Sequence, residues 1–121
     1  GTPVPGQRPA AYIVVLGQSS SRDYLWADAG MACQSMTLGA AERGWGCCLF
    51  GSVQREKLRG VLGLKEDDPP VMLVVALGVP DEEFVIEEGT LTGSRDYWRE
   101  GRVHHVPKLP LSELLLERKG Q

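Results

Sequence analysis

The chain has 121 residues, 42% of them hydrophobic and 24% charged. These values fit a single globular domain and argue against disorder, collagen and coiled coil. A net charge of −3 offers no basic footprint for nucleic acid, and the longest apolar run, residues 71–77, is too short to span a bilayer.

The chain does not begin with methionine. Its opening Gly1-Thr2-Pro3-Val4-Pro5-Gly6 reads as a tag-cleavage scar or as a cut inside a longer protein. No signal peptide is recognisable. Three cysteines, two of them adjacent (Cys47 and Cys48), set no disulfide framework and point to reduced thiols and a cytoplasmic location.

Residues 1–9 are rich in proline and glycine and are expected to be an extended lead-in. Residues 10–16 (AAYIVVL) form a short β-branched run, the pattern of a buried strand. A polar loop, residues 17–23, follows. Residues 24–43 predict a long helix that is apolar or small on nearly every side, and hence buried on several faces. Gly44 is placed to end it.

Residues 45–50 predict a second strand. Ser52 is the candidate cap of a short amphipathic helix over 53–62, with Val53, Leu58, Val61 and Leu62 facing inward and Gly63 closing it. After a charged turn at 65–70, residues 71–77 (VMLVVAL) predict another buried strand. From Gly78 to Arg102 periodicity fades, and the stretch reads as an extended arm. A helical turn or two is expected over 111–117.

The pattern β-α-β-α-β predicts by default a parallel α/β sheet. Domain organisation is expected to be one domain over 1–121, with a core at 10–80 and an arm at 81–121. Two-sided apolar strands with one substantial helix besides the first leave faces for another chain to cover, so a homodimer or larger assembly is expected.

Few residues carry an evident chemistry. Gly44 and Gly46 precede a strand, which does not fit a dinucleotide loop. Gly51 sits at a strand-to-helix turn, where its backbone can approach a flat ligand or simply make the turn. Cys47 and Cys48 point to opposite faces of a strand and read as buried, inert thiols. His104 and His105 read as surface strand residues. Asp81, Glu82, Glu83, Glu87 and Glu88 read as a solvated face. Lys108 lies on a stiff segment with Pro107 and Pro110 close by and can meet a phosphate. No metal site and no catalytic side chain are assigned, since no Ser-His-Asp order, P-loop or HExxH motif is present.

Four ordered segments resemble one family. They are Asp28-Ala29-Gly30-Met31-Ala32-Cys33-Gln34-Ser35, then Gly44-Trp45-Gly46-Cys47-Cys48-Leu49-Phe50-Gly51-Ser52-Val53, then Leu58-Arg59-Gly60-Val61-Leu62-Gly63-Leu64, then a run from Pro70 ending Leu77-Gly78-Val79-Pro80. Their order and spacing resemble the C-terminal half of the FMN-dependent nitroreductases, whose corresponding forms are D-A-G-x-A-x-Q-N, G-L-G-S-C-W-I-G-S-F, a helix ending L-L-G-L, and P-V-A-L-L-P-L-G-Y-P. Val103-His104-His105-Val106-Pro107-Lys108 and Leu111-Ser112-Glu113-Leu114 resemble the family's closing segment.

The resemblance implies an α+β fold in place of the parallel default: a mixed, mainly antiparallel sheet flanked by helices, in an intertwined homodimer with FMN at the interface. It implies that Leu49, Phe50 and Gly51 lie along the flavin ring and that Lys108 reaches the FMN phosphate. The complete protein would move electrons from NAD(P)H to nitro compounds, quinones or similar acceptors; flavin fragmentation and reductive dehalogenation stay open. The chain departs from the family in three ways. Ser35 replaces the usual Asn, Leu109 and Pro110 stand where an Arg often accompanies the lysine, and no R-x-S-x-R clamp occurs, Ser21-Arg22 being no substitute. These departures keep an alternative open, a dimeric binding or assembly module that has lost FMN.

Overall fold

The structure is a computed structural model in which residues 5–18 and 22–116 are described. The expectations placed on residues 1–4, on Ser21 and on Glu117 lie outside these residues. The chain divides into two compact units, Gly1–Pro80 and Asp81–Gln121.

In the first unit, β1 (Ala11–Leu16) leads through a single 3-10 turn to α1 (Leu25–Glu42), then β2 (Gly46–Phe50), α2 (Arg55–Leu62) and β3 (Val71–Gly78). The strands lie in the order β1-β3-β2, and β3 is antiparallel to both neighbours. This overturns the parallel default and agrees with the antiparallel character implied by the resemblance. The reason is length. α1 has 18 residues and spans about 27 Å, enough to carry the chain back along a strand, so β1 and β2 run the same way. α2 has 8 residues and spans only about 12 Å. The chain therefore enters β3 at the end where β2 left off, Phe50 opposite Val74, and returns between the two earlier strands.

β3 carries the core. Val75 is fully buried, and Val71, Met72, Val74 and Ala76 are nearly so. Each buried valine contributes roughly 1.5–3 kcal/mol against its exposed state. α1 turns one stripe, Ala29, Cys33 and Ala40, into this core. The small side chains let the helix sit close to the sheet. Leu25 and Met36 are half-buried, whereas Trp26, Met31 and Leu38 are all more than half exposed. A helix read as buried on several faces is thus buried on one.

The helix ends follow backbone chemistry. Gly44 and Gly63 have φ of +73° and +68°, the left-handed geometry that glycine adopts without strain. Ser52 does not cap α2; Gln54 holds that position without a side-chain hydrogen bond. Val61 and Leu62, expected to face inward, are exposed.

The second unit is not an arm without order. β4 (Glu83–Glu88), β5 (Trp98–Glu100) and β6 (Val103–Lys108) form a sheet in the order β4-β6-β5. β4 runs parallel to β6, and β5 antiparallel to it. A short α3 (Leu111–Leu114) follows. The two sheets and their helices make the α+β class, mixed and mainly antiparallel.

Candidate functional site

β2 lies at one edge of the first sheet, so one side of its backbone has no strand to pair with among the described residues. Leu49, Phe50 and Gly51 are consecutive at its C-terminal end. Leu49 and Phe50 are exposed apolar side chains. A Cβ placed on Gly51 meets only Leu73 Cδ2, at 3.8 Å, so the protein itself leaves the space beside this glycine open. The amides of Gly51 and Ser52 make no backbone hydrogen bond among the described residues.

This turn is held from behind by Arg55, at the start of α2. Its Nη2 donates to the Gly51 carbonyl at 2.9 Å and to the Met72 carbonyl at 3.1 Å, and its Nε donates to the Val71 carbonyl at 3.0 Å. The guanidinium lies 6.0 Å from the centre of the Trp26 ring, within reach of cation–π attraction. One turn later, Arg59 donates to the carbonyls of Lys65, Asp68 and Pro69. Sequence reasoning overlooked both arginines. Their spacing of four places them on one face of α2, and Gly51 and Gly63, rather than acids, stand four residues beyond them. Most of their partners, the carbonyls of Val71 and Met72 for Arg55 and of Lys65, Asp68 and Pro69 for Arg59, come near only on folding, so the local sequence carries no signal for them.

Cys47 is half-buried and Cys48 exposed, so the expected burial of the pair fails at Cys48. Cys33 is the buried thiol, and burial pushes its pKa up. A separate apolar cleft of about 280 Å3, lined by Ile13, Met36, Trp45 and Leu77 among others, does not include Leu49, Phe50 or Gly51.

Lys108 ends β6 in the second unit. It is exposed, and among the described residues no carboxylate pairs with its ammonium. Glu88 is its partner in the β4–β6 register, which sets a negative charge beside it on the same face of the sheet.

The histidines of β6 are on a strand, as expected, but are not surface residues: their side chains are 13% and 15% exposed. His104 sits between Phe84 and Tyr97, with ring centres 5.2 and 5.0 Å away, and its Nε2 is buried without a hydrogen-bond partner among the described residues. His105 stacks on Trp98 at 4.8 Å. Of the five acids read as a solvated face, Asp81, Glu82 and Glu87 are engaged, by Arg102, Arg99 and His105. Arg99 makes a two-pronged contact to Glu82, at 2.6 and 3.2 Å. These hydrogen bonds, more than the charge itself, hold the Glu82 carboxyl below its ordinary range and raise Arg99. No group of side chains suited to a metal ion occurs among the described residues, and none of their helices is long and apolar enough to cross a membrane.

Compared with known families, residues 3–79 match the model of the Nitroreductase family. The matched stretch includes Leu49, Phe50, Gly51 and Arg55 and ends before the second unit. Among curated proteins the chain finds no match.

Proposed function

The chain belongs to the nitroreductase family, and from that premise we propose that it supplies one wall of an FMN site in an oxidoreductase. The observation that carries the reading is the open end of β2. Flat ring systems are bound edge-on by backbone donors and flanked by apolar side chains. Leu49 and Phe50 offer the apolar flank, Gly51 offers approach without a Cβ, and Gly51 and Ser52 offer unused amides. These residues fit the ring of a flavin.

When bound, FMN would supply the two-electron exchange between NAD(P)H and a nitro compound, quinone or similar acceptor. The residues of this chain position the ring and shield it from water; none is assigned a proton-transfer role. Lys108 would meet the phosphate. The reading includes a cytoplasmic homodimer, with Trp26, Met31 and Leu38 of α1 covered by the second copy. Such exposed apolar residues favour self-complementary two-fold contact. Residues 10–80 would form its core, with 81–121 as an appended segment.

One observation favours the alternative of a module that has lost FMN. Glu88 is the register partner of the lysine meant for the phosphate, and a carboxylate on the neighbouring strand opposes an incoming dianion. Purifying the full-length protein and recording its visible spectrum decides between them. A yellow protein, or one that takes up added FMN, supports the flavoprotein; a colourless protein that leaves added FMN free supports the module.

A further inference from the structure

We infer that Arg55 is a positioning residue for the flavin contact, setting the direction of the amide that joins Gly51 to Ser52. The inference rests on the proposed FMN site. Its ground is the three-point clamp. Arg55 reaches Gly51 in the turn after β2, and Val71 and Met72 in β3. The planar guanidinium fixes these three carbonyls relative to one another, which a flexible ammonium cannot do.

The peptide bond is planar and trans, so a carbonyl and the following N–H point in opposite directions. With the Gly51 oxygen drawn toward Arg55, the Ser52 N–H is turned away from it. That N–H has no backbone acceptor among the described residues. The clamp thus holds a donor ready on the open side of the turn, instead of leaving the peptide to rotate. Preorganised donors of this kind bind and tune a ligand at no reorganisation cost.

Charge adds a second effect. Arg55 is half-buried, its three bonds go to neutral carbonyls, and no carboxylate pairs with it among the described residues. A positive charge behind the Gly51 carbonyl favours the electron-rich, reduced form of a ring bound to this turn.

Arg59 provides the internal control. It has the same chemistry on the same helix, yet its clamp closes on Lys65, Asp68 and Pro69, away from Gly51. Its loss should cost stability without touching a bound flavin.

The experiment uses the full-length protein with FMN, measuring its dissociation constant and midpoint potential in the wild type, Arg55→Met, Arg55→Lys and Arg59→Met. Arg55→Met is expected to bind FMN about tenfold more weakly, the scale of one charge-assisted hydrogen bond, and to lower the midpoint potential. Arg55→Lys keeps the charge but not the fork, so it should restore much of the potential while leaving affinity weakened, and it remains informative if Arg55→Met does not fold. Arg59→Met should melt earlier with affinity and potential unchanged. Unchanged affinity and potential in both Arg55 variants, or equal changes on removing Arg59, overturn the inference while the FMN site stands. A wild type that does not bind FMN overturns the proposed site and the inference together.

Discussion

His105 Nδ1 lies 2.6 Å from Glu87 Oε1, joining the middle strand of the second sheet to its parallel neighbour β4. A carboxylate only accepts, so Nδ1 carries the proton in this contact. On its other side His105 stacks flat on Trp98 of β5, so one imidazole touches both flanking strands. His105→Ala should cost roughly 1–3 kcal/mol, combining a partly exposed charged hydrogen bond with a ring contact. Amide hydrogen exchange in β4 and β5 reads the effect. Protection lost only within β6 would show that the imidazole does not bind the three strands together.

The pairing of Glu82 with Arg99 makes an acid-sensitive contact. Because the Glu82 pKa is depressed in the folded protein, its contribution is fully present above the ordinary glutamate pKa, about 4.3, and fades as pH falls through the lower folded value. Arg99→Gln removes the leading cause of the depression. Titration of the Glu82 carboxyl by NMR should then move upward toward the ordinary value; the same midpoint in both proteins would exclude Arg99 as the cause.

Gly51→Val separates fold from ligand. The added Cβ finds only Leu73 Cδ2, at 3.8 Å, and the backbone there is not left-handed, so the melting temperature should change little. FMN binding by the full-length protein should be lost, because the branched side chain fills the space proposed for the ring. Unaltered FMN affinity removes Gly51 from the site.

Lys108 and Glu88 should act in opposite directions. Lys108→Ala is expected to weaken FMN by roughly 1–3 kcal/mol and to leave riboflavin, which lacks the phosphate, unaffected. Glu88→Gln should tighten FMN and again spare riboflavin. Parallel losses for both ligands would mean that Lys108 supports the sheet and not the phosphate.

The exposed face of α1 predicts association. Light scattering of the full-length protein at micromolar concentration should give twice the monomer mass, and Met31→Glu with Leu38→Glu should return it to the monomer. A wild-type monomer contradicts the dimer.

Much of the first unit was legible because its signals are local. Continuous apolar runs marked β1 and β3, and Gly44 and Gly63 marked the helix ends. Strand direction was not, since β-α-β-α-β says nothing of how far each helix travels; the brevity of α2 decided it. The second sheet was missed because β4 sets only three apolar residues, Phe84, Val85 and Ile86, between acids, and β5 has three residues, Trp98, Arg99 and Glu100. Its long-range partners, Glu82 with Arg99 and Glu87 with His105, are 17 and 18 residues apart. At the candidate site, Leu49, Phe50 and Gly51 were reached through their resemblance to a family motif. Arg55 was not, because its role depends on carbonyls brought together only by folding.

The most direct test is anaerobic addition of NADH or NADPH to the full-length protein mixed with FMN, followed through the flavin's visible absorbance. The account predicts that bound FMN bleaches on adding the nicotinamide and recovers its colour when a nitro compound or quinone is then supplied. FMN that stays oxidised and free in the presence of the protein and both nicotinamides would contradict it.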